Sequence, residues 1–286
     1  MDRLRVATLN IWNRSGPWEA RLGLIRAQLE ALGPDLLGLQ EVLELTMDGG
    51  RSTLADHIAE GGPYEVVYGE GHEVRFEGAP PTPASGGAGP RLGFGNALLS
   101  RYPIREHRVH PLPGADRSDH PRSLLEAVVE LPLGSVGVFV THLNWKLHEG
   151  AIRVDQVRAI AAIVAARYPI GGGAYPPILM GDLNAEPESD EIRFLSGFAT
   201  IEGQSVFFSD VWRAVGEGRG ATFSPDNPFA EPCHEPPRRI DYIFVRGPDA
   251  RGRGKPLEAR LCFDQPVGGV YPSDHYGVYA ELRGEP

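Results

Sequence analysis

Along this chain, one apolar run after another carries an acid, an amide or a histidine at or near its end. Asn10 lies in "LRVATLNIW". Glu41 follows Gln40 at the close of "DLLGLQEV". His142 and Asn144 close "VFVTHLN", and Asp182 and Asn184 leave "PILM" through Gly181. Asp241 sits inside "RRIDYIFV", and Asp274 and His275 stand in "YPSDHYGV" just before the last apolar stretch. Taken singly, most have ordinary readings: a strand-end hydrogen bonder at Asn10, a solvated strand end at Glu41, a turn at Gly181-Asp182. Asp241 is the exception. Among Ile240, Tyr242, Ile243 and Phe244 its carboxylate needs a partner, because an unpaired buried charge is very costly.

Taken jointly, these residues offer hard oxygen donors, two imidazoles and several amides, with no thiolate among them. Oxygen donors with one or two carboxylates suit Mg²⁺, or Mn²⁺, far better than zinc. A hard cation beside an Asp–His pair suits phosphoryl chemistry, with the metal neutralising the phosphate and the pair handling protons or developing charge. Two acids or amides two residues apart, as at Asp182 and Asn184, can project the same way from an extended strand end.

The elements that must hold these groups follow from periodicity. Residues 4–12 and 35–42 read as strands buried on both faces. Between them Trp18, Leu22, Ile25, Leu29 and Leu32 mark one face of a helix that opens at Pro17 and stops at Gly33-Pro34. Further strands are expected at 64–68, 96–100, 123–131, 135–142, 177–180, 240–245, 259–263 and 276–282, with helices at 149–167 and 188–194. Residues 206–232 read as mostly irregular. The Gly/Pro-rich stretch at about 69–95 reads as a surface excursion. The basic segment 105–122 reads as a solvated loop, with a phosphate-facing role as the alternative. Arg153 and Gln156 read as structural, and Trp12 and Trp145 as core residues, with stacking on a substrate as the alternative. No linker separates two domains, so one α/β domain over 1–286 is expected: two sheets packed face to face with helices outside.

Composition bounds the function. With 28 Lys and Arg against 38 Asp and Glu, the formal charge is −10, which is unlike a duplex-coating protein. Two cysteines, Cys233 and Cys262, make neither a disulfide framework nor a zinc pattern. No apolar run approaches a membrane span and the N-terminus lacks a signal-peptide core, so a cytoplasmic setting without membrane insertion is expected. Nothing in the sequence implies a protein partner.

"TLNIWN", "LQEV", "NALLSRYPI", "THLNW", "GDLNAEP", "RRIDYIF" and "YPSDHYGV" occur in that order between residues 8 and 278. With these motifs the whole chain resembles the endonuclease/exonuclease/phosphatase superfamily. The resemblance implies a four-layer α/β sandwich of two packed mixed sheets flanked by helices. It also implies a Mg²⁺-dependent hydrolase in which water attacks phosphorus directly. By the same resemblance Glu41 is the main metal ligand, with Asn10 and Asp274 close to the metal. Asp182 orients and deprotonates the water, and Asn184 hydrogen-bonds the phosphate. His275 contacts the phosphate with its ring fixed by Asp241, and His142 lies near the leaving group. The abasic-site repair and 5-phosphatase signatures are incomplete. The expectation is therefore a phosphodiesterase or nuclease acting on a nucleic acid, a small molecule or a lipid headgroup. A phosphomonoesterase acting on a sugar or inositol phosphate is the alternative in the same fold, and an inactive binding module the alternative of another class.

Overall fold

The computed structural model describes residues 1–47, 50–74, 91–169 and 173–285. In chain order the elements are β1 (Arg3–Asn10), α1 (Trp18–Leu32), β2 (Leu36–Met47), β3 (Gly50–Thr53), α2 (Leu54–Ala59), β4 (Glu65–Val74), β5 (Arg91–Ser100), β6 (Ile104–Pro111), β7 (Ser123–Leu131) and β8 (Gly134–His142). They continue with α3 (Gly150–Arg167), β9 (Tyr175–Asp182), α4 (Asp190–Leu195), β10 (Ser209–Asp210), α5 (Val211–Val215), β11 (Asp241–Val245), β12 (Pro256–Cys262) and β13 (Gly277–Arg283).

Two mixed sheets result. One has the order β12-β13-β1-β2-β5-β4, with β3 added on β2, and the other the order β10-β11-β9-β8-β7-β6. Strand alternation sends Leu4 and Val6 of β1 into the layer between the sheets, where they meet Val138, Val140, Met180, Ile243 and Ala280. Ala7 and Leu9 of the same strand face outward, where α1 covers them with Trp18, Leu22, Ile25 and Leu29. On the far side α3 and α4 cover Phe139, Leu179 and Phe244 with Val157, Ile160, Val164 and Ile192. Both sheets are thus apolar on both faces, and the layers are helix, sheet, sheet, helix. The sheets come so close that a Cβ on Gly38 of β2 would stand 2.6 Å from Met180 Sδ.

Three expectations need correction. β2 does not end at Glu41 but continues to Met47, with a register shift between Leu39 and Val42 against β5. Glu41 sits in that bulge at φ +59, a conformation that sequence periodicity does not report. The two ends of the expected excursion at 69–95 are sheet: β4 carries on through Val74 and β5 starts at Arg91, while 75–90 lies outside the described residues. The expected loop at 105–122 opens as β6, an edge strand on β7. Its side chains are mostly exposed and charged, a composition that hides a strand from hydrophobic periodicity while blunting a sheet edge.

Candidate active site

The sheets deliver the chemistry-bearing residues to one end of the sandwich. β8 and β9 are parallel, with His142 opposite Asp182, and β11 runs antiparallel to β9, with Asp241 opposite Asp182. In the other sheet β1 ends at Asn10, opposite Gln40 of parallel β2, and β13 runs antiparallel to β1, so Asp274 and His275 arrive beside Asn10. Strand ends of an α/β sheet are where ligands gather. Here the ends of both sheets meet.

Asp182 is the hub. Its Oδ1 accepts the Asn184 amide at 2.9 Å, and its Oδ2 accepts Asn10 Nδ2 at 3.0 Å. His142 Nε2 stands 3.6 Å from the same Oδ2, and His275 Nε2 3.9 Å from it. The backbone that aims Asp182 requires glycine before it: Gly181 has φ +142, and a Cβ there would lie 1.9 Å from Thr141 O. Asn184, at φ +49, donates Nδ2 to Leu143 O at 3.1 Å and so has its carboxamide fixed.

His275 is held through its other nitrogen, Nδ1, 2.9 Å from Asp241 Oδ2. Phe223 packs on the ring at a centroid distance of 5.0 Å. Thr222 Oγ1 accepts the Ile240 and Asp241 amides at 3.1 and 3.2 Å, and the next residue, Phe223, lines the cleft. Asp241 Oδ1 is buried without a partner among the described residues. Burial disfavours charge on His275, but Asp241, Asp274 and Asp182 outweigh it and hold its pKa well above the ordinary value. Burial and the neighbouring Asp241 push Asp182 up. His142 moves the other way: burial, then the Arg122 charge, hold it well below the ordinary value.

Glu41 is half-buried and presents its carboxylate to the cleft. Its Oε1 accepts Asn10 Nδ2 at 3.2 Å and its Oε2 accepts Asn13 Nδ2 at 2.9 Å. Ser273 Oγ donates to Asn10 O at 2.7 Å and stands 3.1 Å from Asp274 Oδ1. Burial pushes Asp274 up, His275 opposes that, and repulsion from Glu41 adds to it. Two carboxylates that repel across a polar pocket, one clamped by two amides, form an oxygen-donor set suited to a hard cation. The tightest group of ligating side chains among the described residues is a different one, Asp182, Asp241 and His275, whose ligand atoms lie within 4.8 Å of one another. In that trio His275 Nδ1 is already engaged with Asp241, which is the arrangement of a hydrogen-bonded pair. The nearby cation Arg21 is fully buried and donates to Ile11 O, Trp12 O, Asn13 O, Ser15 O and Pro272 O, tying the loop after β1 to the loop before His275.

Glu41, His142, Asp182, Asn184 and His275 line a cleft of about 1370 Å³, while Asn10, Asp241 and Asp274 are buried at its base. All eight expected residues converge. Sequence reading missed others on the cleft: Asn13, His72, Phe94 and Arg238. Asn13 closes "TLNIWN" and had a motif to betray it, whereas His72 and Phe94 fell inside the stretch read as an excursion. Within 105–122 the residues separate. Arg105 pairs with Glu130, His110 with Glu126 and Arg117 with Asp155, while His120 and Arg122 reach the cleft. Arg153 and Gln156 hold the backbone and carboxamide of Asn144 from behind. Trp12 stacks on Phe229, but Trp145, expected in the core, is half-exposed on the cleft rim.

A two-sheet sandwich with acids, amides and two histidines gathered at its strand ends defines a phosphoesterase or nuclease type of protein. The sequence matches the Endonuclease/Exonuclease/phosphatase family over residues 7–275, and the chain belongs to that family. Among solved structures it is similar to an endonuclease/exonuclease/phosphatase from Beutenbergia cavernae DSM 12333, at 26% identity and a TM-score of 0.69, covering 100% of this chain and 72% of that one. It is also similar in fold to D. rerio TDP2 complexed with single strand DNA product, at 18% identity and a TM-score of 0.70, covering 98% and 99%. A third similar fold is the human Nocturnin catalytic domain with bound sulfate anion, at 18% identity and a TM-score of 0.63, covering 98% and 93%. A search of curated proteins found no match.

Proposed function

We propose that this protein is a Mg²⁺-dependent phosphodiesterase in which water attacks phosphorus directly. The observation that carries this reading is the crowd of nitrogen donors around one carboxylate oxygen: Asn10, His142 and His275 all face Asp182 Oδ2, with Asp241 behind His275. An acid so placed, with burial pushing its pKa up, can orient a water and take its proton. His275, held charged by Asp241, offers Nε2–H to a phosphate oxygen on which negative charge builds. Asn184 donates to the phosphate with its remaining N–H, and His142 stands on the other side of Asp182, toward the leaving group. Glu41, with Asn10 and Asp274 beside it, would hold the cation. When bound, Mg²⁺ supplies charge neutralisation at the phosphate.

Membership of the family and the D. rerio TDP2 complex with a DNA product agree with phosphodiester chemistry. No helix among the described residues is long and apolar enough to cross a membrane. The test is a panel of bis-p-nitrophenyl phosphate, p-nitrophenyl phosphate, single- and double-stranded DNA, RNA and sphingomyelin, each with and without Mg²⁺. Mg²⁺-dependent turnover of a diester ahead of the monoester is expected. Exclusive turnover of the monoester would establish a phosphatase instead.

A further inference from the structure

Three buried arginines flank the site: Arg238 is paired with Glu235 and Glu186, while Arg21 and Arg122 have no ion pair among the described residues and differ in one respect. Every nitrogen of the Arg21 guanidinium donates to backbone carbonyls. Arg122 is also buried, but among the described residues only its contact with His142 Nδ1, at 3.3 Å, is made, and its Nε has no partner there. No ion pair joins it to a carboxylate among the described residues. A desolvated cation with unused N–H groups facing a cleft is costly unless an anion completes it. Its fork suits a phosphate.

From Arg122 a row of rings leads outward. Its guanidinium lies 6.0 Å from the Phe94 centroid, and Phe94 lies 5.1 Å from His72. His72 stands 6.3 Å from His120, and His120 6.3 Å from the half-exposed Trp145. The row is built on rigid parts. His72 on β4 is the register partner of Phe94 on β5, and His72 Nδ1 donates to Pro121 O at 3.0 Å. Burial holds both histidines below their ordinary pKa, so at neutral pH they present π-faces more than charge. All five residues line the same cleft as Asp182.

We infer that this arm is a nucleotide subsite, in which Arg122 takes a phosphate of the substrate and the ring row stacks the adjoining base. The inference rests on the phosphodiesterase reading and narrows it to nucleoside phosphodiesters. Stacking of a base on aromatic side chains contributes about 1–3 kcal/mol, or about 5- to 150-fold in affinity. A choline-type lipid headgroup offers the same phosphate and a cation for the rings, so phosphocholine is the competing ligand in the test. A sugar polyphosphate needs several free cations, whereas Arg14 and Arg91 on this cleft are already paired with Glu19 and Glu70.

The test is equilibrium binding to the protein in Mg²⁺, by calorimetry and tryptophan fluorescence, of adenosine 5′-monophosphate, ribose 5-phosphate and phosphocholine. The nucleotide should bind at least about fivefold more tightly than ribose 5-phosphate. Trp145→Ala, at a half-exposed position, should remove most of that advantage and leave ribose 5-phosphate within about twofold. Arg122→Gln should weaken both ligands about tenfold or more, and Arg122→Lys should recover part of the loss. Equal affinity for ribose 5-phosphate or phosphocholine, or an unchanged advantage in Trp145→Ala, would overturn the assignment even if Arg122→Gln fails to fold. Hydrolysis separates the two possible sources of the nucleotide. A single-stranded 12-mer turned over at least tenfold faster than a dinucleoside monophosphate identifies a strand end, and comparable rates identify a small diester. Turnover of bis-p-nitrophenyl phosphate but of neither nucleotide substrate rejects the subsite and spares the phosphodiesterase. No turnover of any diester rejects the phosphodiesterase itself.

Discussion

Asp241 Oδ2 lies 2.9 Å from Nδ1 of His275, and both side chains are buried. Asp241 opens β11 of one sheet and His275 lies two residues before β13 of the other, so the contact exists only when the sheets are packed. It leaves His275 Nε2 directed to Asp182, the residue opposite Asp241 in the β9–β11 register.

This geometry predicts the behaviour of variants. Asp182→Asn, His275→Ala and Asp241→Asn should each lower kcat by at least about 10²-fold in steady-state assays. The His275→Ala/Asp241→Asn double variant should be little worse than the poorer single variant, because the pair acts as a unit. A near-normal kcat in His275→Ala would remove His275 from the chemistry.

Metal removal should be decisive for the Glu41 assignment. EDTA is expected to abolish diester hydrolysis and Mg²⁺ to restore it. Glu41→Gln should raise the Mg²⁺ concentration needed for half-maximal activity while leaving the circular dichroism spectrum unchanged. Full activity in EDTA would contradict the site.

Two glycines should differ in their tolerance. Gly181→Ala places a Cβ 1.9 Å from a backbone oxygen, which cannot yield. Gly38→Ala places one 2.6 Å from Met180 Sδ, the far part of a flexible side chain. Urea unfolding should show a loss of about 1–3 kcal/mol for Gly38→Ala and a larger loss for Gly181→Ala. The reverse order would mean that the turn before Asp182 is not strained as described.

Acid sensitivity can be followed far from the cleft. Burial pushes the Asp249 carboxyl up, but hydrogen bonds from the Arg253 side chain and the Arg253 and Arg251 amides outweigh it and hold its pKa below the ordinary value. A depressed folded pKa gives stability that is present above the unfolded value of about 3.9 and is lost as pH falls through the folded value. Asp249→Asn should therefore cost on the order of 1 kcal/mol at pH 7 and much less near pH 2. A penalty independent of pH would show that the carboxylate charge is not what matters.

Duplex DNA should bind weakly. The chain carries −10, and the basic residues of β6 and the following loop are largely spent on Glu130, Glu126 and Asp155. Fluorescence anisotropy of Asp182→Asn with a labelled 20-mer duplex in Mg²⁺ should show a shallow salt slope. Submicromolar binding with a steep slope at physiological salt would count against this.

The sequence by itself determined the strands buried on both faces, the helix from Trp18 to Leu32, and the acids, amides and histidines at strand ends. Each of these is a local property, readable from periodicity and from the cost of a carboxylate such as Asp241 among apolar neighbours. It did not determine the bulge at Glu41, because a positive φ in mid-strand leaves no pattern in residue types. Nor did it reveal β6, whose charged side chains face water on an edge, or the strand ends at 69–74 and 91–95, where interspersed glycines hide strands that pairing stabilises. Only the tertiary structure decided which cations are free. Arg105, Arg117 and Arg122 look alike in a basic segment. Burial and the nearest carboxylate separate them, leaving Arg122 alone of the three unpaired beside His142, and those depend on chain segments up to 38 residues away.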